Sequence, residues 1–148
     1  GPVLSNQINS TSASLIIKMI KGEFPALPNI YFSVVDVRDV AKLHVESLTN
    51  SKSDFKRIIT SSSKAISFLE ISKILRKIGH NKSTLKIVPD QIIKLLAIFN
   101  KDMKTSESMI KRGNFSLDLS TTNEIYNWQP TPFYKTMLDM SNSLKEFL

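Results

Sequence analysis

The side chains best suited to acid–base chemistry in this chain are three tyrosines, two histidines and the cluster Asp36-Val37-Arg38-Asp39. A tyrosine donates protons near neutral pH when a lysine one helical turn away lowers its pKa. Tyr31, Tyr126 and Tyr134 are followed four residues later by Val35, Pro130 and Leu138, so none has that lysine. His44 lies alone on an otherwise apolar helical pattern and reads as a structural histidine. With His80 far away and no cysteine, no metal-ligand spacing arises and no metal site is expected. Asp36, Arg38 and Asp39 read as a helix N-terminus with an aspartate cap and a neighbouring ion pair. The serine-rich runs 10–14 and 61–63 read as loops, because a hydrolytic serine needs a histidine base and an oxyanion hole that no spacing here indicates. Gly1, Gly22, Gly79 and Gly113 are too scattered to form a glycine-rich phosphate cradle. The chain therefore carries no assignable catalytic residue.

The elements that would hold these groups alternate between helix and strand. Leu15, Ile16, Met19 and Ile20 predict a helix over 14–21 that stops at Gly22. A proline-containing loop then feeds a predicted strand over 30–37. Asp39 is the expected N-cap of a helix over 40–48, with Val40, Ala41, His44, Val45 and Leu48 as its apolar stripe. A second strand is expected over 57–60. Ser67 and Glu70 form a capping-box pattern opening a helix that runs to Ile78 and stops at Gly79. Further on, 85–88 reads as a strand, 89–100 and 105–112 as helices, and 115–119 as extended chain. Ser120 is placed to cap a helix through Tyr126. Trp128 reads as a core plug beside the break at Pro130, and Thr131-Pro132 as the start of a last helix over 133–147. That helix carries Phe133, Met137, Met140, Leu144 and Phe147 on one stripe.

At 148 residues with 41% hydrophobic content, the chain suffices for one sizeable core, and its 22% of charged residues is ordinary for a globular protein. The absence of cysteine suits a reducing, cytoplasmic setting. The longest apolar run, 92–99, is interrupted by Lys94 and too short to span a bilayer. A net charge of +7 invites comparison with nucleic-acid binders, but sixteen of the twenty basic residues are lysines spread singly from Lys18 to Lys145, without interleaved aromatics. A solvated basic surface is the expected reading. The densest group, Lys101 to Lys104 with Lys111-Arg112, is where a phosphate contact would be tested.

Five motifs occur in an order that resembles the second half of an extended short-chain dehydrogenase/reductase. Gly1-Pro2-Val3 resembles the Gly-Pro that follows the catalytic helix of that family. Val34 to Val45 matches its V-D-V-x-D-V-A-x-x-H pattern. Arg57-Ile58-Ile59-Thr60 with Ile66-Ser67-Phe68 resembles the next strand and helix start. Pro89-Asp90 resembles the opening of a substrate-domain helix, and Ser116-Leu117-Asp118 through Trp128-Gln129-Pro130 the late segment ending in a Trp-x-Pro turn. Nucleotide-sugar members commonly place an arginine before the V-D-V strand to grip a diphosphate. Pro28 to Phe32 contains none, so the resemblance points to a dihydroflavonol-reductase-like or sterol-dehydrogenase-like relative.

This resemblance implies an α/β fold: the C-terminal part of a Rossmann-like reductase, with an incomplete sheet and a small helical substrate-domain segment. Residues 1–148 would form a single unit whose dinucleotide-binding half, with the glycine-rich turn and the Tyr-x-x-x-Lys pair, lies elsewhere. The complete fold would use NAD or NADP on a small ketone or aldehyde, whereas this chain alone would bind no cofactor and be inactive. Gly1 and Pro2 would sit near the nicotinamide, and Val3, Leu4, Ser5, Asn6 and Gln7 would line the substrate pocket. The expected partner is the missing N-terminal half or a second copy, joined through the apolar strand 30–37. The competing expectation is an independent protein- or nucleic-acid-binding module.

Overall fold

Ser10 sets the first helix, its Oγ accepting a hydrogen bond from the Ala13 amide at 3.2 Å. Helix α1 therefore spans Thr11–Lys21, three residues earlier than the apolar pattern alone indicates, and ends at Gly22. That glycine has φ 77°, and a Cβ there would meet the Lys82 carbonyl oxygen at 3.0 Å, so both backbone sign and space require glycine. The computed structural model describes residues 1–4, 10–97 and 108–148. The remaining described elements are β1 (Tyr31–Phe32), α2 (Val37–Ser47), β2 (Ile66–Ser67), α3 (Phe68–Lys77), α4 (Asp90–Ala97), α5 (108–112), α6 (Ser120–Tyr126) and α7 (Phe133–Ser143). Single 3-10 turns follow at Ser51–Ser53 and Lys145–Phe147.

The core forms where α1, α3 and α7 bring their apolar stripes together. Ala13, Ile16, Met19 and Ile20 meet Phe68, Ile71 and Leu75, and Met137, Met140 and Leu144 close the third side. The α7 stripe is the one expected from sequence, although the helix gives way to a 3-10 turn after Ser143. Trp128 is half-buried, its indole N–H donating to the Ser61 carbonyl at 2.8 Å. Helix α3 opens on the expected capping box: Ser67 Oγ accepts from the Glu70 amide at 3.1 Å, and Glu70 Oε2 accepts from the Ser67 amide at 2.8 Å. Replacing Ser67 by Ala removes one half of this exchange and should cost about 1 kcal/mol, read as a lower urea midpoint. An unchanged midpoint would mean that the cap contributes nothing.

The strands are much shorter than expected. The predicted strand 30–37 reduces to β1, which pairs antiparallel with β2 (Tyr31 with Ser67, Phe32 with Ile66). Ile30 is buried, Phe32 packs edge-on against Phe68 at 5.0 Å, and β1 has β2 as its one strand neighbour among the described residues. Residues 57–60 form no strand, and 85–88 contribute only a parallel bridge between Ile87 and Leu27. A strand exists only with a neighbour, and the described residues supply too few. The result is a helix-rich unit with a two-stranded sheet, compatible with part of an α/β protein.

Several helix boundaries also move. Asp36, not Asp39, caps α2, and Asp39 instead accepts from the Thr131 amide at 2.6 Å and the Thr131 hydroxyl at 2.9 Å. Thr131 is thereby tied to α2 and does not cap α7, where Pro132 occupies the N-cap position. Ser120 is the first residue of α6, and the Asp118 carboxylate accepts its amide at 2.9 Å. The predicted end of helix 89–100 and start of helix 105–112 fall outside the described residues, as do Lys101 to Lys104.

Candidate functional site

The turn from β1 into α2 runs past the amino-terminal residues and the face of α7, and the three together enclose a groove of about 580 Å³. Gly1, Pro2 and Val3 form one wall. Val3 is fixed there by donating its amide to Ser143 Oγ at 2.8 Å. Phe32 to Val35 form a second wall, and Phe133, Thr136, Met137 and Met140 of α7 the third, with Leu15 and Ile16 of α1 at the base. No charged side chain lines it.

Beside the groove lies a closed ionic network. The Asp36 carboxylate is buried, and its Oδ1 accepts from the Arg38 amide at 3.0 Å and Nε at 2.9 Å. Its Oδ2 accepts from Arg38 Nη2 at 2.8 Å and the Thr136 hydroxyl at 2.9 Å. Arg38 Nη2 also reaches Asp139 at 2.7 Å, and Lys135 approaches Asp139 at 3.2 Å. The bidentate guanidinium is the main cause holding the Asp36 carboxyl well below the usual carboxylate range, and Arg38 is raised in turn. The Asp139 carboxyl is lowered too, chiefly by Arg38. A general base needs a pKa near the working pH. Asp36, engaged by several donors and ionised at neutral pH, instead locks the start of α2 onto α7 and so fixes two walls of the groove.

Of the seven residues expected at the cofactor and substrate sites, Gly1, Pro2 and Val3 line the groove. Leu4 is 80% exposed and does not line it, while Ser5, Asn6 and Gln7 fall outside the described residues. Thr136 and Asp139 were not anticipated from the sequence. Their spacing on one turn of α7, opposite an Asp-x-Arg pair, was the available signal.

The histidines and tyrosines are separate from the groove. His44 is exposed, with Nδ1 at 2.8 Å from the Val40 carbonyl, because α2 buries Leu43 and leaves Ala41, His44, Val45 and Leu48 of the expected stripe exposed, with Val40 half-buried. His80 Nε2 lies 2.5 Å from the buried Ser141 hydroxyl, and burial, followed by Lys145, lowers its pKa. Tyr126 pairs its hydroxyl with Ser47 at 2.6 Å, and Lys77 sits over the Tyr134 ring at 5.3 Å. Arg112, in the basic cluster, donates to the Tyr31 carbonyl and stacks on Phe115 at 4.3 Å. Among the described residues no group of three His, Asp or Glu side chains is arranged to hold a metal, and no helix is long and apolar enough to cross a membrane.

The described helix N-termini also bear on nucleotide binding. Ser10, Asp36 and Ser67 each occupy the first amides of their helices with their own side chains, and Asp36 adds negative charge. A dinucleotide's pyrophosphate needs free amides at such a terminus, so the starts of α1, α2 and α3 do not fit one, whereas α6 and α7 open without a side-chain cap.

No family model matches the chain. Over 100 residues, 68% of its length, it is 36% identical to an uncharacterized oxidoreductase of Schizosaccharomyces pombe. The matched stretch spans 29% of that protein. The similarity supports a relationship to an oxidoreductase.

Proposed function

We propose that this chain is the C-terminal part of an NAD(P)-dependent oxidoreductase of the extended short-chain dehydrogenase/reductase type, dihydroflavonol-reductase-like, and that its groove supplies the substrate-pocket walls for a small ketone or aldehyde. The observation that carries this reading is the groove itself. Its volume of about 580 Å³ falls within the roughly 300–1,000 Å³ typical of small-molecule sites. Its lining is mainly apolar, with the hydroxyls of Ser10, Ser12, Ser33 and Thr136 and no charged side chain, which suits a neutral carbonyl compound. Gly1 and Pro2, with no bulky side chain at Gly1, form the wall against which a nicotinamide would approach.

When bound in the complete protein, the nicotinamide supplies hydride. This chain's residues confine the carbonyl compound and exclude water from it, while the pyrophosphate cradle and proton donor come from elsewhere. Titration of the isolated chain, followed residue by residue through amide chemical shifts, tests the division of labour. Millimolar acetophenone should perturb Phe32, Val34 and Val35, and micromolar NADPH should perturb nothing. Saturable NADPH binding at micromolar concentration would contradict the reading.

A further inference from the structure

The hydroxyls among the groove's lining residues differ in what they can offer a ligand, and the hydrogen bonds around them decide it. A serine or threonine hydroxyl has one proton to give and two lone pairs to receive. Ser61 is buried, with its Oγ at 2.6 Å from Ser33 Oγ and at 3.3 Å from the Val34 carbonyl. A carbonyl oxygen only accepts, so Ser61 gives its one proton to Val34. The proton in the shorter contact must then come from Ser33, because no other arrangement satisfies both bonds. Ser33 therefore has no proton left for a ligand, while its oxygen keeps its lone pairs.

Thr136 is committed in the same direction. Its hydroxyl donates to the Asp36 carboxylate at 2.9 Å, and an ionised carboxylate has no proton to return. Thr136 is itself buried, which leaves exposed Ser33 as the hydroxyl of these two walls within a ligand's reach. Ser10, at the start of α1, is the reverse case. Its oxygen accepts the Ala13 amide, and its proton has no acceptor among the described residues. The lining thus offers a donor at Ser10 and an acceptor without a proton at Ser33, set among apolar side chains.

We propose that Ser33 selects carbonyl compounds that carry a hydroxyl group, taking the ligand's O–H on its oxygen, so that the substrate of this groove is a hydroxylated ketone or aldehyde. The proposal rests on the reading of the groove as a substrate pocket and names the substrate within it. A carbonyl or ether oxygen gains nothing at Ser33, since two oxygens without a shared proton repel. A ligand hydroxyl gains a hydrogen bond there, and a site that bonds a hydroxyl discriminates against the analogue that lacks it. Because Ser33 is open to water, which competes for the same lone pairs, the advantage is modest, roughly fivefold in affinity.

The test titrates the chain with acetophenone, its ring-hydroxylated derivatives and the corresponding methoxy derivatives, following the amides of Phe32, Val34 and Val35. A methoxy group keeps the oxygen and removes the proton. At least one hydroxylated compound should bind roughly fivefold tighter than both acetophenone and its methoxy counterpart. Ser33→Ala, at an exposed position, should melt like the parent, bind acetophenone unchanged and lose that preference. Ser61→Ala removes the acceptor of the Ser33 proton, so Ser33 becomes able to donate and the preference for hydroxyl over methoxy should shrink. Equal affinity of hydroxylated and methoxy compounds, or a preference that survives Ser33→Ala or is untouched by Ser61→Ala, would overturn the proposal and leave the carbonyl pocket standing. Absence of any binding in the groove would contradict the functional reading and the proposal together.

Discussion

Replacing Asp36 with Ala should destabilise the fold by about 2 kcal/mol, from the lost N-cap and the lost hydrogen bonds to a buried carboxylate, with Arg38 42% exposed and able to stay solvated. The substitution deletes the α2 N-cap, both arms of the Arg38 interaction and the acceptor of the Thr136 hydroxyl. Arg38 keeps Asp139, which limits the loss. The same network fixes the sign of the pH dependence. Asp36 has a folded pKa below its unfolded value, mainly through Arg38, so at acid pH the unfolded chain binds more protons and stability rises with pH. The contribution is complete above the unfolded aspartate pKa of about 3.9 and is lost as pH falls below it. Urea midpoints at neutral and acid pH should therefore diverge strongly in the parent and much less in Asp36→Asn, which keeps the shape but not the charge. Equal acid sensitivity in both proteins would remove Asp36 from the account.

An effect of similar size is expected at Leu75 and essentially none at Leu48, although both are leucines on helical stripes. Leu75 is fully buried between α3 and its neighbours, and Leu75→Ala should cost about 3 kcal/mol from lost transfer energy and the cavity left behind. Leu48 is 84% exposed, and Leu48→Ala should stay within about 0.5 kcal/mol. Thermal unfolding of the two variants distinguishes them directly. Comparable losses would mean that Leu48 is buried in the isolated chain.

That pair of leucines also shows what the sequence can and cannot convey. Local signals were legible: the Ser67–Glu70 capping box, the glycine stop at Gly22 and the stripe Met137, Met140 and Leu144 all act within a few residues of themselves. Direction was not. Periodicity defines a face of α2 but not which side of the chain it meets, and His44 was placed on a stripe expected to be buried, most of which is exposed. Strands failed for a related reason. Ile58 and Ile59 have the composition of a strand, yet a ladder needs a second strand, and the described residues provide none there. The choice between Asp36 and Asp39 as the α2 cap depended on Thr136 and Thr131, about a hundred residues away. For the groove, Gly1, Pro2 and Val3 were legible through their resemblance to a family motif. The α7 wall was not, because nothing local links Thr136 or Met137 to the turn before α2.

The role proposed for this chain is to form the substrate wall of a nicotinamide-dependent carbonyl oxidoreductase. It is tested most directly by a chimera in which this chain replaces the matched stretch of the Schizosaccharomyces pombe relative, assayed by loss of reduced-nicotinamide absorbance with neutral ketones and aldehydes. The predicted result is turnover of at least one neutral carbonyl compound, with kcat/KM reduced roughly tenfold or more by Val35→Asp in the groove wall and little affected by a substitution at exposed Leu4. A folded chimera that binds the cofactor but reduces no carbonyl compound, or whose activity is indifferent to Val35→Asp, would contradict it.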